Sequence, residues 1–298
     1  MRRSLGAPDA RGLSAEGARL TVPKHSRKPL DTRRVKPLVA MLPKESDEAT
    51  EDEIHDVPDD ASAFAASMPV AYRAAFDADA IAAHAAIADR RGASATRVEI
   101  WRTLPERVVA ICVVADDRPG LLAHVSAALL AHGIDVVSAH AYCRRRSDGG
   151  AEAIDVLWIR KVPTKEGSVA LVRDEDIAAI GELTEALVRG RAKLEQPTPY
   201  ARPRSSQGSA RVRFEREADG TIALTVEAVD RPGLLLVVTK TIFRAGLQII
   251  GLRASSEGGR ALDRFQVAEP DGGPLGQGRQ LALQTAIFAA IEDPKGED

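Results

Sequence analysis

The sequence predicts an α+β fold, two similar sandwiches in tandem behind a polar tail, and three observations predict it. The hexad "DRPGLL" is written twice, at Asp117–Leu122 and at Asp230–Leu235. Each copy follows a β-branched, aliphatic run and precedes apolar residues at helical spacing. Laying Asp117 on Asp230 aligns "VVAICVVADDRPGLLAHVSAALLAHGIDVVSAHA" with "TIALTVEAVDRPGLLLVVTKTIFRAGLQIIGLRA" without a gap, so whole folding units are repeated.

The chain has 298 residues, 44% of them hydrophobic, 28% charged and 4% aromatic, which suits two domains and an extra segment. Residues 1–61 are basic from Arg2 to Lys36, acidic from Glu45 to Asp60, and poor in large apolar side chains. Such a stretch buries too little to offset chain entropy and reads as a disordered tail. A formal net charge of -2 offers no argument for a nucleic-acid partner. No apolar segment reaches the roughly 18 residues of a membrane span and no signal-peptide core is visible, so no membrane partner is expected and the location reads as cytoplasmic. Cys112 and Cys143 stand on strand-like runs without metal or redox spacing and read as reduced, packed thiols.

Residues 62–95 form an Ala-rich helical connector. From Asp77, a candidate cap, Ile81, His84, Ile87 and Ala88 share a face that needs a domain to pack on, and His84 reads as a packed residue. The first domain spans 96–195, a Pro/Ser/Gly-rich linker 196–207, and the second domain 208–293. Strands are expected at Val108–Ala115 and Thr221–Ala228. The prolines fall where a first helical turn tolerates them, and helices with stripes Leu122, Val125, Leu129 and Leu235, Val238, Ile242 follow, ending at Gly133 and Gly246. Second strands run over Ile134–Cys143 and Leu247–Ser256, third strands over Ala153–Ile159 and Ala261–Val267. Here the first unit has five extra residues, so that Asp155 falls on Asp263. Helical patterns Asp174–Leu194 and Arg279–Glu292 close the units, and "TRVEI" and "ARVRFE" ahead of them supply flanking strands. One sheet with both helices on a single face buries these stripes: two ferredoxin-like βαββαβ sandwiches.

At each hexad a strand hands over to a helix within three residues and leaves backbone amides unpaired at the positive helix end. Those donors favour a carboxylate, such as that of an amino acid. Gly120 and Gly233 permit close approach to the backbone. Asp117 and Asp230 suit an ammonium group, and Arg118 and Arg231 an anion or a subunit contact. Leu121, Leu122, Leu234 and Leu235 floor the pocket. The competing reading makes the hexad a fold signature alone, with Asp capping the helix.

Two such units with D-R-P-G-L-L at the first strand-to-helix junction resemble the ACT family of small-ligand regulatory domains. With "SMPVAYRAAFDADAIAAHAAI" ahead of them, residues 62–293 resemble the C-terminal ACT pair of the bacterial PII uridylyltransferase/uridylyl-removing enzyme family. The resemblance implies a glutamine-type sensor in nitrogen or amino-acid metabolism; a homodimer or a regulatory protein partner is expected to receive the change. A nucleotidyltransferase Gly-Ser turn with spaced Asp residues is not found, nor is a His/Asp metal cluster, since His55-Asp56 stands in the acidic run. The expectation is a non-catalytic module without cofactor; the alternative is a diverged or split uridylyltransferase.

Overall fold

The computed structural model describes residues 59–164, 166–193 and 210–292. The expected tail, up to residue 58, and the linker 196–207 lie outside the described residues. Three short helices come first, α1 (Asp59–Ser67), α2 (Val70–Ala75) and α3 (Ala78–Arg91). The first repeat follows as β1 (Thr96–Thr103), β2 (Val109–Asp116), α4 (Leu121–Ala131), β3 (Ile134–Arg145), β4 (Ala151–Lys161) and α5 (Asp174–Val188). The second comprises β5 (Arg211–Arg216), β6 (Ile222–Val229), α6 (Leu234–Arg244), β7 (Gln248–Glu257), β8 (Arg260–Ala268) and α7 (Gln277–Glu292).

All eight strands join one antiparallel sheet in the order β1-β2-β4-β3-β7-β8-β6-β5. Each half is a ferredoxin-like sandwich whose flanking strand, β1 or β5, comes from in front of the unit. The halves meet edge to edge through β3 and β7, which pair from Ser138–Ser255 to Ala141–Leu252. His140 lies opposite Arg253, its own counterpart in the repeat, so a pseudo-twofold axis passes through that pair. Ser138 strengthens the joint by donating to the Ala254 carbonyl at 2.7 Å. The β3–β4 ladder slips between Val136 and Ser138, and β7–β8 slips at the matching place, between Ile249 and Gly251. The repeat therefore preserves a bulge, a device that bends a strand locally.

The period-two alternation of the strands decides which side chains meet the helices. Helices α4 to α7 cover one face, and their core runs without a break from Ile111, Leu129 and Leu157 to Leu224, Ile242 and Phe265. Burying each such side chain is worth roughly 1.5–3 kcal/mol. Since α4 also packs against α6 across the joint, the core belongs to both repeats.

On the opposite face the halves differ. Helices α1–α3 cover the first repeat, where Ala110, Cys112, Val114, Ile154, Val156 and Trp158 point at them. Counterpart positions in the second repeat hold Ala223, Thr225, Glu227, Leu262, Arg264 and Gln266. Phe76 stacks on Trp158 with planes 4° apart, and the Tyr72 hydroxyl and His84 Nδ1 lie 2.8 Å apart within the layer. Burial lowers the pKa of His84 to about 3, so its ring is neutral near pH 7. Asp77 caps α3 by accepting from the Ala80 amide at 2.8 Å. At the other end of α3, buried Arg91 reaches Glu152 and Asp116, each at 2.6 Å, and Arg144 reaches Glu152 at 2.6 Å. Removing one partner of such a buried pair strands a charge and costs about 3–5 kcal/mol.

The two faces make a paired prediction. Ile154→Ala empties a fully buried site and should cost about 2–5 kcal/mol in denaturant unfolding. Leu262→Ala, at the matching position but 49% exposed, should cost less than about 1 kcal/mol. Equal losses would contradict the one-sided helical layer.

Candidate functional site

Each hexad folds as a left-handed corner. Gly120 (φ 82°) and Gly233 (φ 84°) are the N-caps of α4 and α6, a conformation that side-chain-bearing residues rarely adopt. Pro119 and Pro232 thus stand one residue ahead of the cap instead of within the first turn. No side chain caps either helix, so the capping role expected of Asp under the fold-signature reading is not filled. The Leu121 amide donates to the Arg118 carbonyl at 3.3 Å and Leu234 to Arg231 at 3.1 Å. The following amides of each first turn have no carbonyl four residues back within the helix.

Arg118 and Arg231 turn away from the corners in the same manner. Arg118 Nη1 donates to the Val188 carbonyl at the end of α5 (3.0 Å), and Arg231 Nη2 to the Ile291 carbonyl in the last turn of α7 (2.9 Å). Each hexad arginine thereby ties the two helices of its own repeat together at a negative helix end. Leu121, Leu122, Leu234 and Leu235 are buried beneath the corners, as floor.

The space before each glycine is taken by the other repeat. A Cβ on Gly120 would lie 2.7 Å from the Phe243 ring of α6, and one on Gly233 would lie 2.8 Å from Leu130 Cδ2 of α4. Phe243 is the counterpart of Leu130, so the arrangement obeys the pseudo-twofold. The close approach that glycine permits is therefore made first by the neighbouring helix. A cavity of about 30 Å³ remains at each corner, room for roughly one or two waters.

Asp155 on β4 and Asp263 on β8 are buried beneath the corners and line these cavities. Asp155 Oδ2 has no hydrogen-bond partner among the described residues. Burial, and then the charge of Asp117, push the Asp155 carboxyl well above the usual range, which favours its protonated form. Burial and the Asp230 charge raise Asp263 to about 7. Asp117 Oδ2 accepts from the Cys143 thiol at 3.2 Å, and that thiol is pushed up to about 12 by burial and by Asp117, so it stays a donor. The second corner adds Asp135, which is paired with Arg160 at 3.2 Å and raised by burial and by Asp230. It also holds Ser126, 3% exposed, whose hydroxyl has no partner among the described residues. The signal was legible: an aspartate interrupts an apolar strand at the same place in both repeats. Among the described residues no cluster of His, Cys, Asp and Glu could hold a metal, and no helix is long and apolar enough to cross a membrane.

The raised acid has a measurable signature. A carboxyl at about 7 when folded and near 4 when unfolded adds stability below about pH 4, and that stability is lost as pH rises through 7. Asp230 is the charge that acts on it, and Asp135, paired with Arg160, lines the same cavity. Asp263→Asn should therefore unfold at higher denaturant than wild type at pH 8, with the advantage gone by pH 4. A difference that does not change with pH would refute the assignment.

No family model matches the chain. Curated relatives do. The bifunctional uridylyltransferase/uridylyl-removing enzyme of Phenylobacterium zucineum is 32% identical over 253 residues, which are 80% of this chain and 25% of that protein. Its namesake in Rhodospirillum rubrum is 31% identical over 196 residues, 63% of this chain and 20% of that protein. A crystal structure assigned to a glycine cleavage system transcriptional repressor overlaps at a TM-score of 0.22 and 14% identity, covering 67% of this chain and 94% of that one, too loosely to bear on the argument. The chain thus spans about a quarter of the length of the curated relatives it matches, and it resembles the C-terminal region of the bifunctional uridylyltransferase/uridylyl-removing enzymes.

Proposed function

We propose that this chain is a non-catalytic regulatory module that binds a small α-amino acid at the corners where its two repeats meet. One observation carries the reading: each corner sets helix-start amides over a buried aspartate, with an unpartnered polar atom, Asp155 Oδ2 or Ser126 Oγ, facing the cavity. The α-carboxylate suits the amides and the α-ammonium suits the acid floor, each as a charge-assisted hydrogen bond worth about 1.5–3 kcal/mol. A glutamine-type side chain, in a setting of nitrogen or amino-acid metabolism, is the one the family resemblance implies.

The corners as they stand are too small for such a ligand, and this supplies the regulatory step. At the first corner the wall is Phe243, 36% exposed; at the second it is Leu130, 8% exposed and packed among its neighbours. The first corner therefore fills first. Entry displaces α6 from α4, so the ligand binds one inter-repeat arrangement better than another, and that difference is what shifts a population. The change passes to a protein partner or to a second copy of the chain.

Calorimetry with glutamine and a panel of other amino acids tests this. Saturable binding is expected, weakened at least tenfold in Asp155→Asn and strengthened in Phe243→Ala, which clears the first corner. Because burial favours the protonated form of Asp155 in the empty corner, drawing an ammonium to it should expel a proton, and the heat should vary with the ionisation enthalpy of the buffer. Flat traces for the whole panel would reject the proposal.

A further inference from the structure

Each corner is closed from across the joint, and both closures belong to one helix pair. Phe243, in the last turn of α6, lies over Gly120 at the start of α4. Leu130, in the last turn of α4, lies over Gly233 at the start of α6. The corners therefore stand at opposite ends of the α4–α6 contact, and any movement of α6 relative to α4 is felt at both.

Two movements can clear a wall from its corner. A tilt widens the gap at one end by narrowing it at the other; a separation widens both. The tilt is blocked. A Cβ on Gly120 would lie 2.7 Å from the Phe243 ring, and one on Gly233 would lie 2.8 Å from Leu130 Cδ2, so neither end has slack to give up. Carbon atoms settle at about 3.5–4.0 Å, and forcing them closer in a filled core is costly.

Separation stays open to the molecule. Helix α4 packs on α5 and α6 on α7, and Arg118 and Arg231 tie the start of each first helix to the end of the second. Each repeat's helical layer thus moves as a piece. Beneath the layers the two halves of the sheet are joined by only four residue pairs, from Ser138–Ser255 to Ala141–Leu252. A bend at so short a seam draws the layers apart along the whole α4–α6 contact.

We propose that the two corners open together, so that an amino acid bound at one raises the affinity of the other within a single chain. This rests on the amino-acid reading of the corners and adds their regulation. Lifting Leu130 and Phe243 from their glycines is unfavourable, and the first ligand must offset it. The second ligand meets helices already apart, which is positive cooperativity, and linkage makes the effect the same in either order.

Titration of the full chain with L-glutamine tests the coupling. Two equivalents per chain should bind with a Hill coefficient of about 1.5, unchanged at protein concentrations about tenfold apart, as coupling inside one chain requires. Phe243→Ala admits a ligand to the first corner without separation, so it should strengthen the first equivalent and bring the coefficient to about 1. A wild-type coefficient of 1 or less, or cooperativity kept in Phe243→Ala, would overturn the coupling while leaving the amino-acid sites standing. Amide hydrogen exchange reads the same coupling without ligand. In Phe243→Ala the amides of Leu235 and Leu236, at the second corner, should exchange at least tenfold faster relative to those of Ile154 and Val156 in β4. Leu130→Ala should do the same for Leu122 and Ala123 at the first corner. No glutamine binding with this cross-effect present would strike the amino-acid reading and keep the coupled opening. Faster exchange only at the corner that lost its own wall would overturn it.

Discussion

Two strands pairing over four residues join the two repeats into one sheet. Through the β3–β7 joint, from Ser138–Ser255 to Ala141–Leu252, two four-stranded sandwiches share a sheet. The joint also presses α4 against α6. Pseudo-twofold symmetry does the rest, because a helix leaning across the joint must cover its neighbour's strand-to-helix corner. Phe243 covers Gly120 and Leu130 covers Gly233. Neither repeat owns a complete corner, and any change in one is a change in the packing of both. A ligand with different affinities for two such packings has the physical requirement for a regulatory signal.

Acids buried beneath these corners are expensive. An ionised carboxylate away from water is strongly disfavoured, and burial pushes the Asp155 carboxyl well above the usual range, toward the form that keeps its proton. Asp263, raised to about 7, is poised between forms near neutral pH. Packing gives no reason for an aspartate in either strand, whose other inward positions are Ala153 and Leu157 or Ala261 and Phe265. Perturbed acids lining a cavity, with polar atoms left unpaired, are the arrangement expected where a counter-ion is to be received. The hexad arginines have a different task, tying the end of each repeat's second helix to its first corner.

Symmetry stops at the outer face. There the first repeat offers Ile154, Val156 and Trp158 and is covered by three helices, whereas the second offers Leu262, Arg264 and Gln266 and carries no such layer among the described residues. The edge of the helical layer leaves a step, and a hollow of about 310 Å³ at that step is lined by Pro69, Ala71, Arg253 and Arg264. The corner of the first repeat and the hollow share Ala141, Tyr142 and Ile250 as walls on opposite sides of the sheet, just beyond the last β3–β7 pair.

Much of this was legible in the residues. Period-two runs and helical stripes marked the strands and helices of both units, because alternation and 3.6-residue spacing are local consequences of burying one face. The doubled hexad marked the corners, and Asp77 marked the start of α3. Other features depended on which surfaces meet. Nothing local says that Phe243 will lie on Gly120, that Arg118 will reach Val188, or that the Asp117 charge will act on Asp155, since the first contact is made across the β3–β7 joint and the others by strand pairing and helix stacking within the first repeat. Sequence alone determined that two like units exist and where their chains turn. Tertiary structure decided that each unit completes the other's corner, because edge pairing and helix contact are set by the shapes of whole faces and not by any short run of residues.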